Sequence, residues 1–312
     1  MNIFCVTPGE NWICDRIGFE YQKSSSHNVI LDRLGLETDI IWILAGWCWQ
    51  QIPKNALLSR RVVCTIHHEV PEKFNKNKLR DFLARDQFVD CYHTPCQKTH
   101  DFIRGLTKKP IKILSYWVNP DLWKNRNLLE MKKKYGIVEG EFSVGSFQRD
   151  TEGHDLKTPK LEKGPDRFCD YVEKLKESGK NVHVLLNGWR RQYVINRLES
   201  SKVKYTYIEL PPMETVSEMY SACDLYVVGS RHEGGPQSVL ECAISKVPII
   251  STDVGIVSNI LPASCIIDMD KEYQIYLPTD SDIDHCFKNV QNYLLSDYSK
   301  EYDKFFNQIL RS

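Results

Sequence analysis

Two α/β domains on parallel sheets are predicted by three features of this 312-residue chain. Short apolar runs alternate with helical patterns from end to end, the mark of βα units whose strands are covered on both faces. The rhythm breaks once, at Val118-Asn119-Pro120-Asp121-Leu122-Trp123, where an Asn-Pro turn signal marks a domain junction. In the second half a strand, Asp224-Leu225-Tyr226-Val227-Val228, runs into Ser230-Arg231-His232-Glu233-Gly234-Gly235-Pro236-Gln237-Ser238-Val239-Leu240-Glu241, and a second strand, Val247 to Ser251, follows. Strand, glycine loop, helix N-terminus and strand in that order set backbone N–H groups and a positive dipole end against an anion. Open parallel sheets bind ligands at the carboxyl ends of their strands. The segment therefore reads as half of a site for a phosphorylated ligand, with Glu241 on the first turns of the helix and facing that ligand.

The elements follow in order. In the first half, strands are expected at 2–7, 27–31, 39–45, 61–67, 88–93 and 111–115, and helices at 11–24, 48–58, 76–86 and 95–105. A charged helix from Arg126 to Tyr135 leads into the second half. There strands are expected at 141–147, 181–187, 205–209, 224–228, 248–251 and 264–267. Helices are expected near 165–178, 190–199, 214–221, 238–245 and 282–295. The last segment, Tyr298 to Leu310, is amphipathic, with aromatics at Tyr302, Phe305 and Phe306. The expected domains are 1–120, 121–295 and a C-terminal helix, 296–312, packing back toward the first. Two nucleotide-binding-type domains then face each other, and the natural ligand site is the cleft between them.

Composition narrows the function. Apolar residues are 42% and charged residues 26%, and 41 Lys plus Arg balance 41 Asp plus Glu. That balance argues against a dedicated nucleic-acid binder, which would be strongly basic. No apolar run approaches the roughly 18 to 20 residues of a membrane span. Met1-Asn2-Ile3-Phe4-Cys5-Val6 lacks a basic n-region and reads as a first strand, so a cytoplasmic protein is expected. The eleven cysteines show no C-x-x-C pair and read as buried, reduced thiols rather than a zinc site.

The paired-glutamate pattern, Glu233-Gly-Gly-Pro-x-x-x-x-Glu241 (E-x7-E), then Pro248-Ile-Ile-x-Thr-Asp253-x-Gly255, resembles the retaining glycosyltransferases of family 4. The architecture of that family is GT-B, two Rossmann-like domains with parallel sheets facing a central cleft. The resemblance extends over Lys132 to Gly136, Gly145-Ser146-Phe147, Lys163-Gly164 and Glu214 to Ser230. It is weaker in the first half, at Thr65-Ile66-His67-His68 and at the Val118–Asp121 linker. It implies that Glu241 accepts hydrogen bonds from the ribose hydroxyls of a nucleotide diphosphate sugar, a task suited to a carboxylate facing two O–H donors. It places Glu233 on the donor-sugar side and gives the sugar or diphosphate to the stretch Gly234, Gly235, Pro236, Gln237, Ser238 and Val239 through its backbone N–H groups, which Pro236 alone lacks. A Lys and an Arg would neutralise the departing diphosphate, which implies a metal-independent enzyme with no cofactor besides the donor substrate.

This sequence departs from the family at two places. Ser146 stands where a basic residue is usual, and an insertion, Asp150 to Pro159, precedes the Lys-Gly pair. Arg149 and Lys163 are the phosphate candidates, with Lys160 competing for the second role. Lys246 stands where a glycine usually ends the helix in a left-handed C-cap. His67, with His68 as the alternative, ends the strand Val62 to Ile66 and is expected near the transferring sugar or acceptor. The Pro8-Gly9-Glu10-Asn11-Trp12 loop follows the first strand. Gly9 would let backbone approach a ligand, whereas a plain reading is a tight turn with Asn11 as helix N-cap. Trp47 and Trp49 are candidates for stacking on an acceptor sugar, and Gly188, Trp189 and Arg190 for contacts to base or phosphate. The segment Lys73 to Arg85 reads either as a solvated helix face or as a basic amphipathic helix touching anionic lipid at the inner face of a membrane.

The expected activity is a retaining transfer of a hexose-type sugar from a nucleotide diphosphate donor to a sugar, glycan or lipid-linked hydroxyl. The alternatives are an epimerase or hydrolase of nucleotide sugars on the same fold, and a non-catalytic nucleotide-sugar-binding subunit.

Overall fold

The structure is a computed structural model and describes residues 1–10, 13–31, 33–152 and 155–311. It divides into two compact units, Met1–Trp117 with Asn292–Ser312, and Val118–Gln291.

The first unit is a six-stranded, wholly parallel sheet. Its strands are β1 (Asn2–Val6), β2 (Asn28–Ile30), β3 (Ile40–Ile43), β4 (Arg61–Thr65), β5 (Cys91–Thr94) and β6 (Ile111–Ile113), in the order β2-β1-β3-β4-β5-β6. Strands β3 and β5 are buried along their whole length, as continuous apolar runs in covered parallel sheets require. The helix Leu295–Arg311 closes this core with Tyr302, Phe305, Phe306 and Ile309. Its Asp303 accepts hydrogen bonds from the Tyr21 hydroxyl at 2.8 Å, the Ser25 hydroxyl at 2.6 Å and the Ser26 amide at 2.9 Å. The long-range helix is thereby tied to the helix Ile13–Ser24 by a satisfied buried carboxylate.

The second unit is a five-stranded parallel sheet of β7 (Phe142–Ser146), β8 (Val182–Asn187), β9 (Lys204–Ile208), β10 (Leu225–Val228) and β11 (Ile249–Ser251). Its order is β11-β10-β7-β8-β9. Gly145, at the centre, is required by packing. A Cβ there would lie 2.5 Å from Cys223 Sγ and 2.8 Å from the Tyr226 ring.

Two expected elements differ. The helix expected over 48–58 is a 3-10 turn, Gly46–Gln51, followed by the helix Lys54–Ser59. Pro53 stands between them, lacking the N–H that would continue a helix. The strand expected at 264–267 is reduced to one parallel bridge, Ser251↔Ile266, because Pro262 and the turn Ala263–Cys265 occupy the approach. The proposed N-cap Asn11, and Trp12, lie outside the described residues. All eleven cysteines are buried and free. Among the described residues no helix is long and apolar enough to cross a membrane, and no cluster of three His, Cys, Asp or Glu is arranged to hold a metal ion.

Candidate active site

The carboxyl ends of β7, β8, β10 and β11 carry the residues singled out in the second unit. After β10 the chain passes Gly229 and Ser230 into the Glu233–Pro236 loop and the helix Gln237–Ile244. This loop is clamped on both sides by glycines in left-handed backbone. Gly164, at φ 60°, packs so closely on Gly229 that a Cβ would lie 1.8 Å from its carbonyl oxygen. Gly255, at φ 56°, sits against Gly234, whose carbonyl oxygen would be 2.5 Å from an added Cβ. Glycine is needed at both positions for conformation and for room. Side chains add to the clamp. Arg231 makes a bidentate pair with Asp166 at 2.8 and 2.7 Å, and its amide donates to the Glu162 carbonyl at 2.9 Å. Arg167 donates to the carbonyls of Gly229 and Ser230 at 3.2 and 3.3 Å.

Lys163 and Glu233 are brought together. The Lys163 ammonium lies 2.7 Å from Glu233 Oε1, which also accepts from the Ser230 hydroxyl at 3.0 Å. An ammonium has three N–H donors, so this pairing leaves Lys163 able to serve a further anion. Lys160 is close enough to Arg149 and Lys163 for both to act on it. Burial first, then these two cations, push its amine down to about 8. Lys160 also lies 3.7 Å from Glu162 Oε1. Three basic side chains thus share one neighbourhood with one glutamate of the motif.

Glu241 is buried and hydrogen-bonded. It lies on the second turn of its helix, 4% exposed, with Oε2 accepting from the Tyr220 hydroxyl at 2.9 Å. Tyr220 is the hub of a ring cluster, with centroids 4.7 Å from Phe147, 4.9 Å from Tyr226 and 5.7 Å from Trp123. One carboxylate oxygen of Glu241 is thus tied to this cluster. Val239, expected among the ligand-holding amides, donates its N–H to the Pro236 carbonyl at 3.0 Å. Its amide is spent inside the turn that opens the helix. Gly234, Gly235, Pro236, Gln237 and Ser238 form that turn and its approach, with Gln237 and Ser238 half-buried.

At the end of β8, Gly188 takes φ 94° and Arg190 φ 59°. Trp189 is 46% exposed, with the Arg190 guanidinium 4.0 Å above its ring. Leu210, two residues after β9, is also left-handed and exposed.

In the first unit the outcome differs for each candidate. His67 was expected near the reacting sugar. Its Nε2 lies 2.8 Å from the Leu44 carbonyl, which can only accept, so Nε2 carries the proton. Nδ1 then accepts from the Tyr116 hydroxyl. Both ring nitrogens have protein partners, which fix the ring's orientation. His68 is half-buried next to it. Gly9 is left-handed at φ 69° with open space where a Cβ would point, while its amide donates to Asp15 Oδ1 at 2.8 Å. Trp47 is 59% exposed, 6.3 Å from the His67 ring, whereas Trp49 is buried and donates to Asp81 at 3.0 Å, which removes it as a sugar platform.

The basic segment Lys73 to Arg85 is only partly an exposed face. Phe82 and Arg85 are buried, with Arg85 donating to the Gly46 carbonyl at 3.1 Å. Lys76, Leu79, Arg80 and Leu83 form the exposed stripe.

Residues 157–263 match the family described as glycosyl transferases group 1. No curated protein matches the sequence. The structure is similar to HepE of Anabaena in complex with UDP and glucose, with a TM-score of 0.75 and 13% identity over 99% of this chain and 100% of that one. It is similar to sucrose-phosphate synthase of Thermosynechococcus elongatus, with a TM-score of 0.73 and 13% identity over 100% and 99%. A UDP-forming trehalose-phosphate synthase of Burkholderia xenovorans gives 0.63 at 12% identity over 95% and 86%. The fold is GT-B. The group 1 segment supports a transferase enzyme. The matched segment contains Lys160, Lys163, Glu233 and Glu241 but stops short of Arg149 and Asp150. Sequence reasoning missed Asp150, Arg191, Arg231 and Arg167. The Gly188-Trp189-Arg190-Arg191 run directly after an apolar strand was the available signal for one of them.

Proposed function

We propose that this chain transfers a hexose-type sugar from a nucleotide diphosphate sugar to an acceptor hydroxyl with retention at the anomeric carbon. The observation that carries the reading is the convergence of Arg149, Lys160, the Lys163–Glu233 pair and the opening of the helix Gln237–Ile244 at the carboxyl ends of adjacent strands. Cationic side chains and a helix N-terminus are what a departing diphosphate needs. The bond from C1 to the diphosphate oxygen breaks, the acceptor oxygen bonds to C1 on the same face, and its proton passes to the departing diphosphate. Arg149, Lys160 and Lys163 stabilise the charge on that leaving group, and no metal is required. Glu241 takes the ribose hydroxyls and holds Tyr220 at the same time. UDP is the favoured nucleotide, because HepE, a similar structure, was solved with it. The acceptor is a sugar, glycan or lipid-linked hydroxyl. For a lipid-linked acceptor, the stripe of Lys76, Leu79, Arg80 and Leu83 gives a means of touching an anionic surface, which salt-sensitive co-sedimentation with phosphatidylglycerol vesicles would detect.

Calorimetric titration of UDP, GDP and ADP without metal tests the donor site. One nucleotide should bind wild type at micromolar strength. Glu241→Gln keeps an acceptor for Tyr220 and should weaken that nucleotide by ~1–3 kcal/mol, the usual cost of a lost charged hydrogen bond. Glu241→Ala additionally strands the buried Tyr220 hydroxyl and should also lower stability. Absence of binding by all three nucleotides, or no effect of Glu241→Gln, would remove the nucleotide-sugar reading. Product NMR showing an inverted linkage would remove retention alone.

A further inference from the structure

Arg191 is 0% exposed, the most deeply buried cation among the described residues. Its Nε donates to Asp150 Oδ2 at 3.0 Å, and Asp150 is also buried. The rest of the guanidinium spans two neighbouring strand ends. It donates to the Ser146 carbonyl at the end of β7, to the Ser146 hydroxyl at 3.2 Å, and to the Asn187 carbonyl at the end of β8 at 2.7 Å. Asp150 collects the loops around it. Its carboxylate accepts from the amides of Tyr193 and Val194 at 3.3 and 3.4 Å, in the first turn of the helix Gln192–Ser200. Its own amide donates to the Arg190 carbonyl at 3.2 Å, and its carbonyl accepts the Lys160 amide at 2.7 Å. Thr151 donates to the same Arg190 carbonyl at 3.2 Å and bridges to Pro159.

A buried ion pair is weak evidence of stability, since apolar residues of similar size often serve as well. What this pair does uniquely is fix geometry. Arg149 precedes Asp150 in the chain, and Lys160 hangs from the Asp150 carbonyl by one hydrogen bond. The two cations are thereby crowded together, an arrangement that repels itself until an anion arrives. We propose that the Arg191–Asp150 pair is a positioning device that holds Arg149 and Lys160 together for the terminal phosphate of a nucleoside diphosphate. This rests on the nucleotide-sugar reading and goes beyond it, since Asp150 and Arg149 precede the segment matched to the family.

The test compares UDP with UMP, or GDP with GMP and ADP with AMP where wild type prefers those, on wild type, Asp150→Asn, Arg191→Met and Arg191→Lys. The diphosphate-over-monophosphate preference should fall about tenfold in Asp150→Asn and Arg191→Met, one lost charge-assisted contact. Arg191→Lys, which keeps the charge but not the fork, should be intermediate. Monophosphate affinity should stay near wild type. A pair that served folding alone would lower Tm and leave the preference intact, which would overturn the inference. Lys160→Gln, on a half-buried side chain, supplies an independent arm. In its background Asp150→Asn should lose most of its effect, and full additivity would overturn the coupling. A wild type that binds no nucleotide removes the functional reading itself. A wild type that binds UDP while its folded variants keep the preference removes this inference alone.

Discussion

Lys160 shows at residue scale what crowding of cations does. Its amine is pushed down to about 8 from the usual 10.5, by burial first and then by Arg149 and Lys163. In the unbound protein this is a cost to folding, full below about pH 8 and lost as pH rises toward 10.5, where the unfolded amine also deprotonates. A bound diphosphate reverses the balance by favouring the ammonium. Nucleotide binding should therefore take up a proton between pH 8 and 9, seen as a dependence of binding heat on buffer ionisation enthalpy. Lys160→Gln should abolish that dependence, and an unchanged dependence would place the titrating group elsewhere. Lys163, Glu233 and the glycines around them were legible in the sequence because they are local to one strand-loop-helix segment. Arg191 and Asp150 were not, since an interior ion pair between residues 41 positions apart leaves no spacing to read. The bond from Tyr220 to Glu241 was equally hidden, because Tyr220 comes from another helix.

Elements of this fold are joined by turns whose backbone conformation is specific. Gly164 and Gly255 are left-handed and in contact with other backbone. Gly164→Ala should lower stability by at least about 2 kcal/mol, through strain plus displacement of the chain at Gly229, and should weaken nucleotide binding with it. Denaturant unfolding and calorimetry on the same variant would check both. Lys246 makes the opposite case. It ends the helix Gln237–Ile244 at φ 56°, the left-handed conformation that its family resemblance fills with glycine. Its contacts, Asp284 at 3.3 Å and the Phe287 ring at 4.6 Å, are exposed and weak. Lys246→Gly should thus be neutral or stabilising by up to ~1 kcal/mol, and a clear loss in Cm would show that those contacts outweigh the strain. Strand periodicity was readable throughout because buried parallel strands are continuous apolar runs. The failures fell where proline interrupts, at Pro53 and Pro262.

At the scale of the whole molecule, the first unit depends on polar groups sealed in its core. His93 is fully buried, with Nδ1 bonded to the Thr65 hydroxyl at 2.9 Å and Nε2 to the Leu114 carbonyl at 2.7 Å. Burial holds its pKa down at about 4. The unfolded chain, with the usual value of 6.5, binds the proton first, so this unit should lose stability as pH falls from about 6.5 toward 4. His93→Gln should flatten that part of the Tm-against-pH curve, and an unchanged slope would assign it to other groups. The second unit carries the central claim, that its strand ends form a nucleoside diphosphate site. A crystal structure grown with UDP tests it most directly. The diphosphate should lie within hydrogen-bond distance of Lys163, Arg149 or Lys160 and of the turn opening the helix Gln237–Ile244, with the ribose beside Glu241. UDP seated away from these groups, or no UDP bound at millimolar concentration, would contradict it.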